Sequence, residues 1–259
     1  MNYFIIVLGI VIIFLIYYIY SILNAVPVII KSVDLTQPIE NIPSSSITNP
    51  YSTNYTVGVW VYIGHFTPQI GRFLMFGDTT YNGPNSLFSL RMDTNGNNLY
   101  ADILVNKIGG GQTILPVMLN STNSSFPIQK WVYVCVCSSY NYIEGYLNGK
   151  FTTAVNISNN TSYGVNGTFQ AQAPKDVNAS ATFYFGGKGT TMDDGITIRQ
   201  NGSPVVLSQL SRWDTPLTAG DIYNNYMKGN GQESSIMGQG YNMDIVISQG
   251  KNKYGLSVF

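Results

Sequence analysis

Charged side chains are scarce in this sequence: Asp, Glu, Lys and Arg together make up 10% of the 259 residues. Soluble globular proteins usually carry about 25%. Thirteen basic residues balance thirteen acidic ones, and Lys and Arg form no cluster with interleaved aromatic residues. The chain therefore offers no attracting field for a phosphate backbone, and we expect no nucleic acid among its partners.

Histidine and cysteine are also rare. His65 is the single histidine, which excludes histidine-rich metal sites and leaves no serine or cysteine with an evident histidine base in the sequence. Cys135 and Cys137 lie two apart in an apolar run, so on a strand they share a face and a disulfide between them would be strained. We interpret them as buried core thiols. The alternative, a redox or metal pair, normally has the wider C-x-x-C spacing and further ligands.

One long apolar run opens the chain. From Tyr3 to Leu23, Ser21 alone is neither apolar, aromatic nor glycine, and the first charged residue is Lys31. A helix over this stretch would be roughly 30 Å long, which is the thickness of the hydrocarbon core of a bilayer. Tyrosines near both ends suit the headgroup level. We therefore predict a single-pass transmembrane anchor over residues 1–30.

A cleaved signal and a buried core helix are the two alternatives to the anchor. A cleaved secretory signal would have a positive n-region, an apolar core of about 7–15 residues and a small-residue cleavage site, which this run lacks. A buried core helix would have to be covered on every face. The orientation of the anchor stays open, because the positive-inside rule has only Lys31 and the terminal amine to count. Nine Asn-x-Ser/Thr sequons would matter in a glycosylating lumen, whereas the two thiols and Lys31 favour the cytosolic side.

Residues 31–50 have the composition of an extended linker, with three prolines and a run of three serines. Beyond it, short strand-like segments recur between Gly, Asn, Asp and Pro residues, a pattern typical of a sandwich or barrel. The predicted strands are Tyr55–Ile63, Arg72–Phe76, Ser86–Met92, Leu99–Val105, Trp131–Ser138, Tyr142–Leu147, Lys150–Val155, Ala181–Phe185 and Gly195–Arg199.

Two local signals are more specific than composition. Asn148-Gly149, between two strand-like segments, supplies both positive-φ positions of a type I′ turn and predicts a β-hairpin. The stretch from Thr218 to Met227 opens with a Thr-x-x-Asp capping box and predicts one short helix near the end of the sandwich. Residues 229–259 form a C-terminal extension whose strand-like pieces, Met243–Ser248 and Tyr254–Phe259, we expect to pack on the sandwich. The alternative is that they engage a partner by strand addition.

Six landmarks occur in a familiar order: Tyr55–Val61 with Trp60, Phe73–Asp78, Lys130–Val134, Tyr146–Lys150, Phe183–Gly187 and Arg212–Ile222. They resemble the Trp-bearing strand, Phe-Gly strand, Trp-x-x-Val strand, Tyr-x-Asn-Gly-Lys hairpin, aromatic-Gly-Gly strand and closing helix of the laminin G-like branch of the concanavalin A-like lectin/glucanase superfamily. The resemblance covers residues 51–228. It implies an all-β domain, a two-sheet antiparallel jelly-roll sandwich.

Some members of that superfamily are glycosidases, which need two carboxylates flanking the scissile bond. The Glu-x-Asp-x-x-Glu pattern of the glucanases is absent here, and Glu144 is the one Glu on a predicted strand. Asp193 and Asp194 are adjacent, so a strand would send them to opposite faces. We therefore predict that the chain is not an enzyme and has no catalytic residues, with glycoside hydrolysis as the remote alternative.

A calcium ion is implied by the resemblance, because laminin G-like domains often bind one at a rim through Asp carboxylates and backbone carbonyls. Asp78, Asp193 and Asp194 are the candidate ligands by their loop positions. The alternative is that they are turn-forming or solvated acids. No other cofactor is expected.

Trp60 and Tyr62 are the candidate carbohydrate-binding residues. They alternate with Val59, Val61 and Ile63, so the strand has one aromatic and one aliphatic face. An aromatic face of this kind can stack on sugar rings. The alternative is that both residues pack between the two sheets.

Together, an anchor, a linker, a sandwich without paired acids and a nearly uncharged surface indicate binding close to a membrane. The combination is similar to membrane-anchored laminin G-like proteins of large icosahedral DNA viruses of algae and amoebae, whose virions enclose an internal membrane beneath the capsid. That resemblance implies a minor capsid or virion membrane protein that tethers the internal membrane to the capsid shell, with lipid and capsid proteins as partners and the β domain facing the capsid. The alternative is a membrane-anchored adhesin that binds glycans for host attachment.

Overall fold

The computed structural model describes residues 3–23, 27–37, 39–50, 52–66, 71–77, 87–93, 97–107, 112–120, 124–139, 142–157, 169–171, 182–186, 205–231, 244–249 and 252–257.

The predicted N-terminal helix forms, and we label it α1, Tyr3–Leu23. Its side chains are described over residues 8–19, where every large apolar or aromatic one is 46–70% exposed. Within the ranges given above, no helix was found that combines the length and the apolar character needed to cross a membrane. The helix is therefore confirmed, whereas the predicted membrane span is not.

The strands are mostly short and match the predicted pattern of many small segments. Three of them, β3, β8 and β9, have the predicted bounds. In chain order the strands are β1 Val28–Asp34, β2 Ile42–Pro43, β3 Tyr55–Ile63, β4 Arg72–Gly77, β5 Phe88–Met92, β6 Leu99–Lys107, β7 Gln112–Met118, β8 Trp131–Ser138, β9 Tyr142–Leu147, β10 Lys150–Asn156, β11 Phe169–Ala171, β12 Thr182–Phe185, β13 Val205–Trp213, β14 Asp244–Gln249 and β15 Asn252–Ser257.

Two sheets build the sandwich. Sheet A has six strands in the order β1-β13-β3-β8-β9-β10, and sheet B has the order β11-β6-β5-β4-β12-β2 with β7 paired to β6. Each of these pairs is antiparallel. This arrangement confirms the predicted two-sheet antiparallel sandwich.

The core lies between the two sheets and follows from strand alternation. In β3, Val59, Val61 and Ile63 are 0% exposed and point inward. They meet phenylalanines of sheet B, including Phe73 and Phe183, in one continuous apolar cluster. Burial of these β-branched and aromatic side chains supplies the main stabilisation of the domain.

The predicted linker over residues 31–50 is corrected by the structure, because it is built into the sandwich. β1 pairs with β13 and β2 pairs with β12, while Leu35 and Ile47 each retain 7% exposure in the core. The physical reason is a β-branched, apolar run around Val28 that completes the edge of sheet A before the proline-rich part begins.

The predicted hairpin and short helix are both present. Asn148 and Gly149 have φ angles of 50° and 73° between β9 and β10. The helix, α2, runs Ala219–Met227 and is capped by reciprocal bonds between Thr218 and Asp221.

Two predicted features at the C-terminal side have different outcomes. The predicted strand Gly195–Arg199 lies outside the described residues. In the extension, β14 and β15 pair with each other, and their packing on the sandwich stays a prediction.

Candidate functional site

The outward face of sheet A carries a cluster of aromatic rings and thiols beneath α2. Trp60 is 7% exposed. Its ring centroid lies 5.5 Å from that of Tyr226 in α2, stacked at 26°, and 5.4 Å from that of Tyr133. Trp60 therefore packs between sheet A and α2, and neither stacks on a solvent-exposed ligand nor fills the space between the two sheets. We call the buried set Trp60, Tyr133, Cys135, Cys137, Tyr146 and Ile222 the α2 cluster.

A glycine in β3 makes this close packing feasible. A Cβ atom at Gly58 would clash with the hydroxyl of Tyr133 and would lie 3.2 Å from the ring of Trp213. A strand normally disfavours glycine. Here its missing side chain lets the Tyr133 ring lie directly over the neighbouring strand.

The two thiols lie within the α2 cluster, where Cys135 is 0% and Cys137 is 2% exposed. Both are free, as expected for core thiols. Burial raises the pKa of Cys135, whereas a hydrogen bond from Cys135 lowers the pKa of Cys137. The reactivity of both thiols is limited by burial more than by ionisation, because a thiol that solvent cannot reach is protected from reaction.

The segment that leads into α2 is fixed by a hydroxyl of β3. Thr56 donates a hydrogen bond to the Thr215 carbonyl and accepts one from the Leu217 amide, each at 2.9 Å. Its oxygen also lies 3.3 Å from the sulfur of Cys137. The thiol pair and the start of α2 are thus held by one polar network.

Tyr62 and Trp131 form the more accessible aromatic pair of this face. Both are half-buried, and their ring centroids are 5.6 Å apart with the planes tilted by 47°. The pair follows from register, because Tyr62 lies opposite Trp131 where β3 meets β8. We call it the open aromatic pair. Of the two carbohydrate candidates, Tyr62 is available to a ligand and Trp60 is not.

Trp131 was missed as a site residue although the sequence contained a signal for it. It begins a Trp-x-x-Val strand, which served only as a family landmark. Its position opposite Tyr62 depends on the pairing of two strands that are far apart in the sequence. Alternation within one strand cannot reveal such a partner.

Sheet B buries a cluster of charged groups. Asp102, 2% exposed, accepts through one carboxylate oxygen from Arg91 Nε at 2.6 Å and lies 3.4 Å from Arg72 Nη2. Arg72 also donates to Ser89 at 2.9 Å, and the Arg91 guanidinium lies 4.6 Å from the centroid of the Tyr100 ring. The other oxygen of Asp102 is buried without a hydrogen-bond partner. A buried carboxylate held by two arginines is typical of a structural ion pair, whereas glycoside hydrolysis needs two carboxylates that flank the scissile bond.

The predicted calcium ligands Asp78, Asp193 and Asp194 lie outside the described residues. Among the residues that are described, no three His, Cys, Asp or Glu side chains group together so that they could hold a metal ion. The calcium site stays a prediction.

Comparison with known proteins gives structural likeness only. No protein-family model and no curated protein matches the sequence. The chain is similar to the receptor-binding domain of the botulinum neurotoxin C/D mosaic serotype, at 15% identity and a TM-score of 0.48 over 79% of this chain and 45% of that one. It is also similar to the botulinum neurotoxin serotype G binding domain, at 11% identity and a TM-score of 0.48 over 76% of this chain and 42% of that one. A third is the serotype D ligand-binding domain in complex with N-acetylneuraminic acid, at 14% identity and a TM-score of 0.46 over 79% of this chain and 45% of that one. This chain therefore spans less than half the length of each.

Proposed function

We propose that this chain is a binding protein, not an enzyme, and that α1 attaches it to a lipid bilayer. The observation that carries the proposal is the exposure of α1, whose large side chains between Leu8 and Ile19 are 46–70% exposed. Apolar surface in water is unfavourable by about 25 cal/mol per Å². Side chains of this kind therefore require a cover that the described sandwich does not supply.

The distribution of apolar residues around α1 favours lipid as that cover. Consecutive residues Ile12, Ile13, Phe14 and Leu15 are all apolar and all at least 50% exposed. Successive helix positions are rotated by about 100°, so the apolar surface surrounds the helix. A helix that docks on a protein has one apolar stripe, whereas a helix that is apolar on all sides suits the hydrocarbon of a membrane. The first and last turns also carry no acidic or basic side chain.

Flotation with liposomes tests the attachment. The full chain, mixed with phosphatidylcholine liposomes in a density gradient, is expected to rise with the lipid. The double variant Ile13→Lys/Ile16→Lys should stay at the bottom, because each lysine costs about 2.5–3.5 kcal/mol in a bilayer centre. The matched control Ile13→Leu/Ile16→Leu should float. A full chain that stays at the bottom, or a lysine variant that floats equally well, would overturn the proposal.

For the sandwich, we propose recognition of another protein as its first role. The resemblance to viral membrane proteins suggests a capsid subunit as that protein, in a virion where the sandwich faces the capsid from the internal membrane. A surface with few charges suits extended polar and aromatic contacts. Cross-linking of purified particles should join the sandwich to capsid subunits. Cross-links confined to lipid would contradict this role.

Glycan binding is the second candidate, and the open aromatic pair favours it. Tyr62 and Trp131 are both half-buried, Trp131 with one side packed against the α2 cluster, so each ring keeps accessible surface that can stack on a sugar. Trp131→Ala should abolish binding on a glycan array without unfolding the domain. Tyr142→Ala, which removes an exposed ring from the opposite end of sheet A, is the control and should leave binding unchanged. If the wild-type chain binds no glycan on a broad array, glycan binding is excluded as its function.

A further inference from the structure

Sheet A has one end that is tied closely to α1. β1 begins at Val28, five residues after Leu23 ends α1, so the two residues are at most about 18 Å apart. Val28 pairs with Ser211 near the end of β13. Two residues further, Trp213 pairs with Thr56 at the start of β3. We call this the anchor end of the sheet.

The open aromatic pair lies at the other end. Asp34, the last residue of β1, pairs with Val206, which pairs with Tyr62, which in turn pairs with Trp131. Trp213 and Val206 are seven residues apart on the same strand, which corresponds to roughly 23 Å. The strand register therefore places Trp213 and Trp131 at opposite ends of the sheet, separated by most of its length.

The side chains at the anchor end are aromatic and apolar. Tyr142 is 46% and Val28 is 36% exposed. Trp213 and Leu217 are half-buried, because the Trp213 ring lies beside Gly58 and Leu217 packs against the α2 cluster, and each keeps part of its surface accessible; Pro216 between them in the chain is exposed. Tryptophan and tyrosine favour the headgroup level of a bilayer, where an amphipathic ring meets both lipid and water. The charged groups described at or beside this end include Lys31, Asp214, Asp221, Glu144 and the buried Arg212. Of these, Asp221 is bonded to Thr218, and Glu144 accepts a hydrogen bond from the Tyr146 hydroxyl at 2.8 Å.

We propose that the anchor end of sheet A is seated on the headgroup layer of the bilayer that holds α1, with the rings of Trp213 and Tyr142 in the interface. This inference rests on the proposed attachment of α1. The connection between α1 and β1 is short and keeps the anchor end within about 18 Å of the helix. The anchor end therefore contacts the same membrane that holds α1. A contact that is weak alone becomes significant when a short tether raises its effective concentration to about millimolar.

A seated sandwich has a fixed orientation, and this has a consequence for recognition. The far end of sheet A points away from the lipid, so the open aromatic pair faces the space in front of the membrane. Tyr62 and Trp131 are thereby presented to a partner that approaches from outside the bilayer. A sandwich on a flexible tether would have no preferred end.

Tryptophan quenching by lipid tests the seating with a built-in control. Two full-length chains are bound to phosphatidylcholine liposomes whose acyl chains carry bromine close to the headgroups. One chain keeps Trp213 alone, through Trp60→Phe and Trp131→Phe, and the other keeps Trp131 alone, through Trp60→Phe and Trp213→Phe. Emission of Trp213 should fall about twofold, as expected for a ring at the interface. Emission of Trp131 should match that in liposomes without bromine.

Flotation of the same samples separates the two proposals. Chains that float while Trp213 is not quenched would overturn the seating and leave the attachment standing. Quenching of Trp131 in place of Trp213 would also overturn it, because the opposite end would then face the lipid. Chains that do not float would overturn the attachment and the seating together.

A second measurement avoids any folding defect of the tryptophan variants. In the wild-type chain, liposomes should slow amide hydrogen exchange in residues 214–218 at the anchor end and leave residues 129–131 at the far end unchanged. Equal effects at the two ends would contradict the seating. Tyr142→Ser should weaken the slowing at residues 214–218, whereas Tyr62→Ser should not.

Discussion

α1 and β3 are built from the same kinds of residue and have opposite surroundings. Val59, Val61 and Ile63 of β3 are 0% exposed, whereas Ile13 and Phe14 of α1 are 68% and 69% exposed. Residue type alone therefore does not decide burial. A strand finds its cover in the opposing sheet of the same chain, and α1 requires a cover from outside the sandwich. The difference separates a segment that is buried within the chain from one that, in the proposed attachment, is covered by lipid.

The sharpest test of this difference compares two phenylalanine truncations. Phe73→Ala should lower the unfolding free energy of the sandwich by about 3–5 kcal/mol, because it opens a cavity in the core. Phe14→Ala removes the same atoms from an exposed position in α1 and should leave the sandwich unchanged. Urea denaturation of the full chain in one mild non-ionic detergent measures both. A Phe14→Ala loss as large as that of Phe73→Ala would show that α1 is part of the core.

The sandwich also provides partners for its buried polar groups, and Arg212 tests that point. Its guanidinium is bonded to four backbone carbonyl oxygens between Thr48 and Ser52 at 3.1–3.4 Å, and lies 5.3 Å from the centroid of the Tyr55 ring. Arg212→Met should cost about 2–4 kcal/mol of unfolding free energy, because it leaves those carbonyls unsatisfied. Arg212→Lys keeps the charge and loses the planar fork, so we expect an intermediate loss. Equal stability of all three proteins would contradict this role.

The sequence was sufficient for the elements whose signals are local. The alternation in β3, the Asn148-Gly149 turn and the Thr218 cap each depend on a few neighbouring residues, and each formed as predicted. By contrast, the pattern of alternating residues does not predict β13. A bulge at Gln209, with φ of 51°, interrupts its alternation of inward and outward side chains.

The candidate site shows a second limit. Alternation correctly predicted that Trp60 and Tyr62 lie on one face of β3. It could not predict that α2 covers Trp60 and leaves Tyr62 accessible, because α2 lies more than 150 residues further along the chain. The role of each ring is set by tertiary contacts that no local pattern records.

Alkaline pH should weaken the sandwich through its buried tyrosines. Burial raises the pKa of Tyr55 and Tyr133 well above the usual range. In the unfolded chain a tyrosine ionises near pH 10, so the unfolded state loses protons first and gains stability as the pH rises further. The unfolding free energy should fall above about pH 10, by about 1.4 kcal/mol per pH unit for each such tyrosine. Tyr133→Phe should reduce that slope by about 1.4 kcal/mol per pH unit, which is the contribution of one tyrosine. An unchanged slope would show that Tyr133 ionises freely in the folded protein.

α2 offers the smallest expected effect and a useful contrast with α1. It is an exposed helix whose one fully buried side chain is Ile222, so its attachment depends partly on its cap. Thr218→Ala should lower the free energy of local opening of α2 by about 1 kcal/mol. Labelling of the thiols beneath it, Cys135 and Cys137, should then be about fivefold faster, because labelling follows local opening. Thr218→Ser keeps the capping oxygen and should label at the wild-type rate. An unchanged rate for Thr218→Ala would mean that the thiols are exposed by some other motion.

The most direct test of the central claim is amide hydrogen exchange of the full chain with and without phosphatidylcholine liposomes. We expect peptides from residues 8–19 to exchange quickly in the absence of lipid and to become protected when liposomes are added, because water is excluded from the hydrocarbon. Peptides from β3 and β8 should be protected under both conditions. Equal protection of residues 8–19 without lipid, or continued fast exchange with it, would contradict the account that a bilayer covers α1.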